Sequence, residues 1–154
     1  MDVGRPFCLE KSVASLRVFG DDLDPDEITR LLRKTPHFAK RRGDVTTAAD
    51  GSSRTAHVGS WRIRAEKVSS GGLDAQIKSL LDDTPSDPIL WEELNRKYTV
   101  DLFCGLFLTG SNQGLEIDPR TLGLLSDRGI KLGLDIYDSA FASLSQSSAG
   151  SDSK

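Results

Sequence analysis

The chain has 154 residues, 37% of them hydrophobic, and a formal net charge of −3, which allows one sizeable core and one domain. No apolar run approaches the roughly 18 residues of a transmembrane span, and the opening MDVGRPFCLEK has no apolar stretch of the kind that marks a secretory signal. Cys8 and Cys104 are the only cysteines and lie far apart, which fits a reducing compartment, and so a cytoplasmic protein, better than a disulfide scaffold.

Charge is distributed unevenly. Residues 1–29 carry 3 basic and 7 acidic groups, 30–67 carry 10 and 3, and 68–154 carry 7 and 13, so a basic middle lies between two acidic segments.

Residues 1–12 read as a loose N-terminal arm, 13–139 as a single domain and the Ser-rich 140–154 as a disordered tail. Val13 to Phe19 alternates as a strand, with Ala14, Leu16 and Val18 on one face. Gly20 to Asp24 turns the chain, and Asp24-Pro25 opens a helix running to Lys34, with Ile28, Leu31 and Leu32 inward. Residues 36–56 are polar and without period, the pattern of a long surface loop.

His57 to Val68 is a second strand, with Gly59, Trp61, Ile63 and Ala65 on one face. Leu73–Asp82 and the segment opened by Asp87-Pro88 follow the helical period. Tyr98 to Leu108 is the longest strand signal. It places Val100, Leu102, Cys104, Leu106 and Leu108 on one face, and Phe103 and Phe107 on the other with Thr99, Asp101 and Gly105. Asp118-Pro119 opens a last helix with Leu122 and Leu125 inward, Gly129 ends it, and Lys131 to Tyr137 closes as a strictly alternating strand.

Without the middle pair of helices this order is βαββαβ. The expectation is therefore an α+β, ferredoxin-like split βαβ repeat: a four-stranded, mainly antiparallel sheet with a two-helix insertion between two related halves. Both strand-to-strand helices then belong on one face of the sheet.

The ordered set of Leu23-Asp-Pro-Asp-Glu-Ile-Thr-Arg-Leu-Leu32, Pro36 with a basic run up to Gly43, Trp61, the helix Leu73 to Leu81, and Leu122…Leu125 with Gly129 and Leu134-Asp-Ile-Tyr137 resembles a bacterial domain-of-unknown-function family, DUF4279. The resemblance covers about residues 13–138 and departs from the family pattern at Arg33, where a glycine would close the first helix. It implies the fold and no catalytic residues.

The residues themselves point away from several chemistries. Cys8, His37, His57 and Cys104 show none of the spacings of a metal site, so neither metal nor cofactor is expected. No nucleophile elbow, P-loop or dinucleotide fingerprint occurs. Two candidate interaction surfaces are left. One is the acid-free basic run Arg30, Arg33, Lys34, His37, Lys40, Arg41 and Arg42, which suits phosphates or an acidic protein unless the acids at 21–27 balance it. The other is the sheet face with Arg17, Phe19, Arg62, Arg64, Asp101, Phe103 and Phe107, whose aromatics are expected to be covered by the inserted helices with Trp91, or by a second subunit. The functional expectation is a non-enzymatic protein-interaction domain of a bacterial cytoplasm, binding a protein partner or a second copy, with an immunity- or antitoxin-like role as its sharper form. A nucleic-acid-binding module using the loop 30–42 is the alternative.

Overall fold

The computed structural model describes residues 11–66, 72–110 and 112–138. The arm expected before Lys11 and the tail expected after 140 lie outside the described residues, as does Cys8. The elements in chain order are β1 (Lys11–Gly20), α1 (Pro25–Leu32), β2 (Phe38–Lys40), β3 (Val45–Thr47), β4 (Ser53–Thr55), β5 (Gly59–Arg64), α2 (Gly72–Leu81), α3 (Pro88–Lys97), β6 (Thr99–Phe107), α4 (Pro119–Asp127) and β7 (Lys131–Tyr137).

Three helices start by the same local chemistry. In each, an Asp before a proline accepts a hydrogen bond from the second following backbone amide: Asp24 from Asp26 N at 3.1 Å, Asp87 from Ile89 N at 3.0 Å and Asp118 from Arg120 N at 2.8 Å. The carboxylate satisfies an amide that has no helical acceptor, and the proline occupies the position that needs no donor.

The core forms where alternation and helical period meet. Ala14, Leu16 and Val18 of β1, Trp61 and Ile63 of β5, and Val100, Leu102, Cys104 and Leu106 of β6 are all buried. The strand register puts them on one face, with Val18 opposite both Trp61 and Val100 and Leu16 opposite both Ile63 and Leu102. Ile28 and Leu32 of α1, Ile77 and Leu81 of α2, Trp91 and Leu94 of α3 and Leu125 of α4 join the same cluster. The four helices therefore form one layer on one side of the sheet. Gly59 enters β5 so closely that a Cβ there would stand 2.7 Å from the Gly20 carbonyl oxygen and 2.9 Å from Leu23 Cβ.

The fold is α+β, but its strand order departs from the split arrangement. The main sheet has five strands in the order β2-β5-β1-β6-β7. Pairs β2–β5, β5–β1 and β1–β6 are antiparallel, and β6–β7 is parallel. In a split βαβ unit the first two strands run parallel with another strand between them; here β1 and β5 are direct neighbours and antiparallel.

The cause lies in residues 36–56, which are not a structureless loop. After α1 the chain runs along β2, and the β3–β4 hairpin then reverses it, so β5 enters against the direction of β1. Because β5 and β6 both oppose β1, they are parallel to one another. The inserted helices α2 and α3 therefore carry the chain from one end of the sheet to the other rather than out and back, and the two halves are not repeats.

Three side chains of the closing unit also sit differently from expectation. Leu122 is 47% exposed, because α4 turns Thr121, Leu125 and Arg128 inward. Leu134 and Ile136 share the helix-side face with Leu132 but are exposed on the outermost strand.

Candidate functional site

The register assigns the second face of the sheet residue by residue. Lys11, Val13, Ser15, Arg17 and Phe19 of β1 lie opposite Phe107, Gly105, Phe103, Asp101 and Thr99 of β6. Ser60, Arg62 and Arg64 continue the face onto β5, Phe38 and Lys40 onto β2, and Lys131, Gly133, Asp135 and Tyr137 onto β7. All four helices contribute to the core on the other side, so among the described residues no helix covers Phe103 or Phe107. Trp91 does not reach them either. It is buried in the helical layer, where its indole N–H donates to the Pro85 carbonyl at 2.6 Å.

This face is a ladder of cations and rings. The Arg17 guanidinium lies 4.3 Å from the centre of the Phe103 ring and 5.2 Å from that of Phe19. At the same time its Nε and Nη2 donate to the two carboxylate oxygens of Asp101 at 2.7 and 2.6 Å. Phe107 stacks on Tyr137 with ring centres 4.8 Å apart and planes 9° from parallel, and Lys11 lies over Phe107 at 4.9 Å. At the other edge Lys40 and Arg62 lie over Phe38 at 5.0 and 5.7 Å. Arg62 Nε is enclosed and has no acceptor among the described residues. The Tyr137 hydroxyl donates to Asp135 at 2.7 Å, and this bond, with burial and the carboxylate charge behind it, raises its pKa.

The basic run from 30 to 42 does not form one site. Arg41 Nη2 bridges Asp24 at 2.7 Å and Asp26 at 2.6 Å, and Arg42 reaches Asp21 at 3.4 Å. The acidic opening of α1 thus balances the end of the run. Arg33 caps α1 in the left-handed conformation, and Lys34 Nζ reaches the Ser79 carbonyl at 3.5 Å, while Arg30 is exposed in the last turn of α1. His37 extends the β2–β5 pairing, its backbone amide donating to Arg62 O at 2.9 Å and its Nδ1 accepting from Arg64 N at 3.2 Å. Of the run, only Lys40 joins the ladder on the sheet.

Cys104 is fully buried on the core side of β6, and burial, followed by the charge of Asp101, pushes its thiol up to about 12. It is a packing residue and a poor nucleophile. No group of three His, Cys, Asp or Glu able to hold a metal occurs among the described residues. No helix among them is long and apolar enough to cross a membrane.

Alternation in β1, β5 and β6 suffices to place Arg17, Phe19, Arg62, Arg64, Asp101, Phe103 and Phe107 together. Lys11, Phe38, Lys131 and Tyr137 complete the face. Phe38 and Lys40 sit two apart, which is a strand signal, but it is too short to rise above the polar residues around it.

The structure is thus an α+β domain of two layers, helices on one side and an open, cation-rich aromatic sheet on the other. Residues 10–139 match the family model of a domain of unknown function, DUF4279, and the chain belongs to that family. No curated protein and no solved structure matches it.

Proposed function

We propose that the chain is a non-enzymatic interaction domain that receives an acidic segment of a protein partner on its open sheet face. The observation that carries this reading is the composition of that face, where, among the described residues, Lys11, Arg17, Lys40, Arg62, Arg64 and Lys131 meet only Asp101 and Asp135. The excess of positive charge stands on a chain whose net charge is −3, so the attraction is local to the face.

A polypeptide suits the face better than bases do. The Phe103 ring is already occupied by Arg17 and the Phe107 ring by Tyr137, and base stacking needs free ring faces. The engagement of Arg41 and Arg42 by Asp21, Asp24 and Asp26 weighs against a phosphate track along the loop. Within this proposal the domain acts in a bacterial cytoplasm as an immunity- or antitoxin-like partner. Small size, the absence of catalytic motifs in the sequence and a buried free thiol at Cys104 support that narrower reading.

The test is a titration of isotope-labelled protein with poly-L-glutamate and, separately, with a random single-stranded oligonucleotide at physiological salt. Amide shifts confined to β1, β5 and β6 with the polypeptide, weakened in an Arg62→Ala, Arg64→Ala variant and absent with the oligonucleotide, are expected. Micromolar binding of the oligonucleotide, or no shift on this face at saturating polypeptide, would overturn the proposal.

A further inference from the structure

We infer that β7 is the interface of a symmetric homodimer, in which β7 pairs antiparallel with the same strand of a second copy. β7 is one of the two edge strands of the five-stranded sheet, with β2 at the other edge. Its side chains on the helical side are unusually open for their type: Leu134 is 49% and Ile136 60% exposed. An outer strand with apolar residues and unpaired backbone groups is a template for another strand.

The backbone direction fits that template. Leu108 N donates to Tyr137 O at 2.9 Å, so the polar groups of Tyr137 point toward β6. Alternation gives 131, 133 and 135 the same direction and turns those of Leu132, Leu134 and Ile136 outward. The residues with exposed apolar side chains therefore also carry the outward amides and carbonyls.

The sequence Lys131-Leu-Gly-Leu-Asp-Ile-Tyr137 is self-complementary about Leu134. A two-fold axis through that residue sets Leu134 against Leu134 of the second copy and Leu132 against its Ile136, each a pair with outward backbone groups on both strands. That is the hydrogen-bonded pairing of an antiparallel ladder, and it puts the apolar side chains together on the helical side. On the open face Lys131 falls diagonal to Asp135 of the second copy, and the same contact is made twice by symmetry. Charge complementarity and the apolar pattern both select a second copy as the occupant. The two sheets join into one, with the open faces on the same side.

Sedimentation equilibrium of the full chain at micromolar concentrations tests the inference. A dimer is expected, and Ile136→Lys should raise the dissociation constant by at least about tenfold, because the new charge would lack a partner at the seam. Lys131→Glu should also weaken the dimer by bringing like charges together, and adding Asp135→Lys to it should restore association; this pair keeps the test valid if Ile136→Lys perturbs folding. Circular dichroism and urea midpoints of the variants report that folding. A monomer at every concentration, or a dimer indifferent to both sets of changes, would overturn the inference.

Discussion

Arg17 and Asp101 face each other across β1 and β6 in a two-pronged ion pair, with side-chain exposures of 22% and 12%, on the side of the sheet opposite the four helices. The pair holds the Arg17 guanidinium over Phe103, 4.3 Å from the ring centre, and thereby fixes the centre of the open face. Asp101→Ala should strand a half-buried guanidinium. Charge-assisted hydrogen bonds contribute about 1.5–3 kcal/mol and partial solvent access lowers the upper end, so a loss of about 1–2 kcal/mol in urea unfolding is expected. A double-mutant cycle with Arg17→Ala should return most of that loss as coupling. Coupling near zero would make the pair incidental to stability.

Trp61 is fully buried, and its indole N–H donates to Thr29 Oγ1 at 3.0 Å, tying β5 to α1. Trp61→Ala should cost about 3–5 kcal/mol through the cavity and lost contacts. Thr29→Val keeps the volume but leaves the indole N–H without its acceptor, for about 1–3 kcal/mol. A loss below about 1 kcal/mol for Trp61→Ala in denaturant unfolding would contradict the burial of the ring.

The Cys104 thiol, raised to about 12, should resist aromatic disulfide reagents in native protein. A Cys8→Ser variant isolates it. Labelling should then follow unfolding, appearing across the urea transition and not before. The neutral thiol is the form the fold favours, so its contribution to stability is fully present below the ordinary thiol value of 9.0 and is lost as pH rises toward about 12. Prompt labelling near neutral pH in the absence of denaturant would show that β6 opens locally.

Asp74 in the first turn of α2 accepts from the Asp118 amide at 2.9 Å and pairs with Lys78 at 3.0 Å. Burial alone would raise its pKa, but the neighbouring Thr121 hydroxyl, the hydrogen bonds from the Asp118 amide and Lys78, and the Lys78 charge outweigh it and hold the carboxyl below its ordinary value. A depressed carboxyl contributes stability above its unfolded pKa, and that contribution is lost as pH falls through the folded value. Asp74→Asn should therefore flatten the fall of unfolding free energy on the acid side, below about pH 4. An unchanged acid limb would separate Asp74 from the join between α2 and α4.

The strands and helices around the core were legible because each repeats its period several times: Ala14, Leu16 and Val18, or Val100 through Leu106, leave little choice of face. The strand order was not legible, because it depends on Phe38–Lys40, three residues that are mostly exposed and carry no alternation of burial. The hairpin Val45–Thr47 with Ser53–Thr55 is exposed throughout, so no apolar face announces it, although Val45, Thr46, Thr47 and the Asp50-Gly51 turn have the right chemistry. For the open face, alternation tells which rings share a side but not that Arg17 and Tyr137 occupy them. Those contacts arise from the cross-strand register, which only the assembled sheet fixes.

The end of α1 yields the last prediction. The family pattern leads one to expect glycine at this position, and the chain has Arg33, which nevertheless adopts φ of 56° and ψ of 34°, the left-handed conformation that glycine favours. The backbone demand is therefore met by a residue that suffers for it, since a Cβ in this region crowds the following carbonyl by about 1–2 kcal/mol. Arg33 is exposed, and among the described residues its side chain forms no ion pair or hydrogen bond that would offset the strain. Arg33→Gly should relieve it, but glycine also gains freedom in the unfolded chain, so the net gain should be about 0.5–1 kcal/mol. Arg33→Ala keeps the Cβ and should give no such gain. The pair of variants, compared by urea unfolding, separates backbone relief from loss of the charge. If the alanine and glycine variants prove equally stable, the left-handed geometry at Arg33 is not what limits α1.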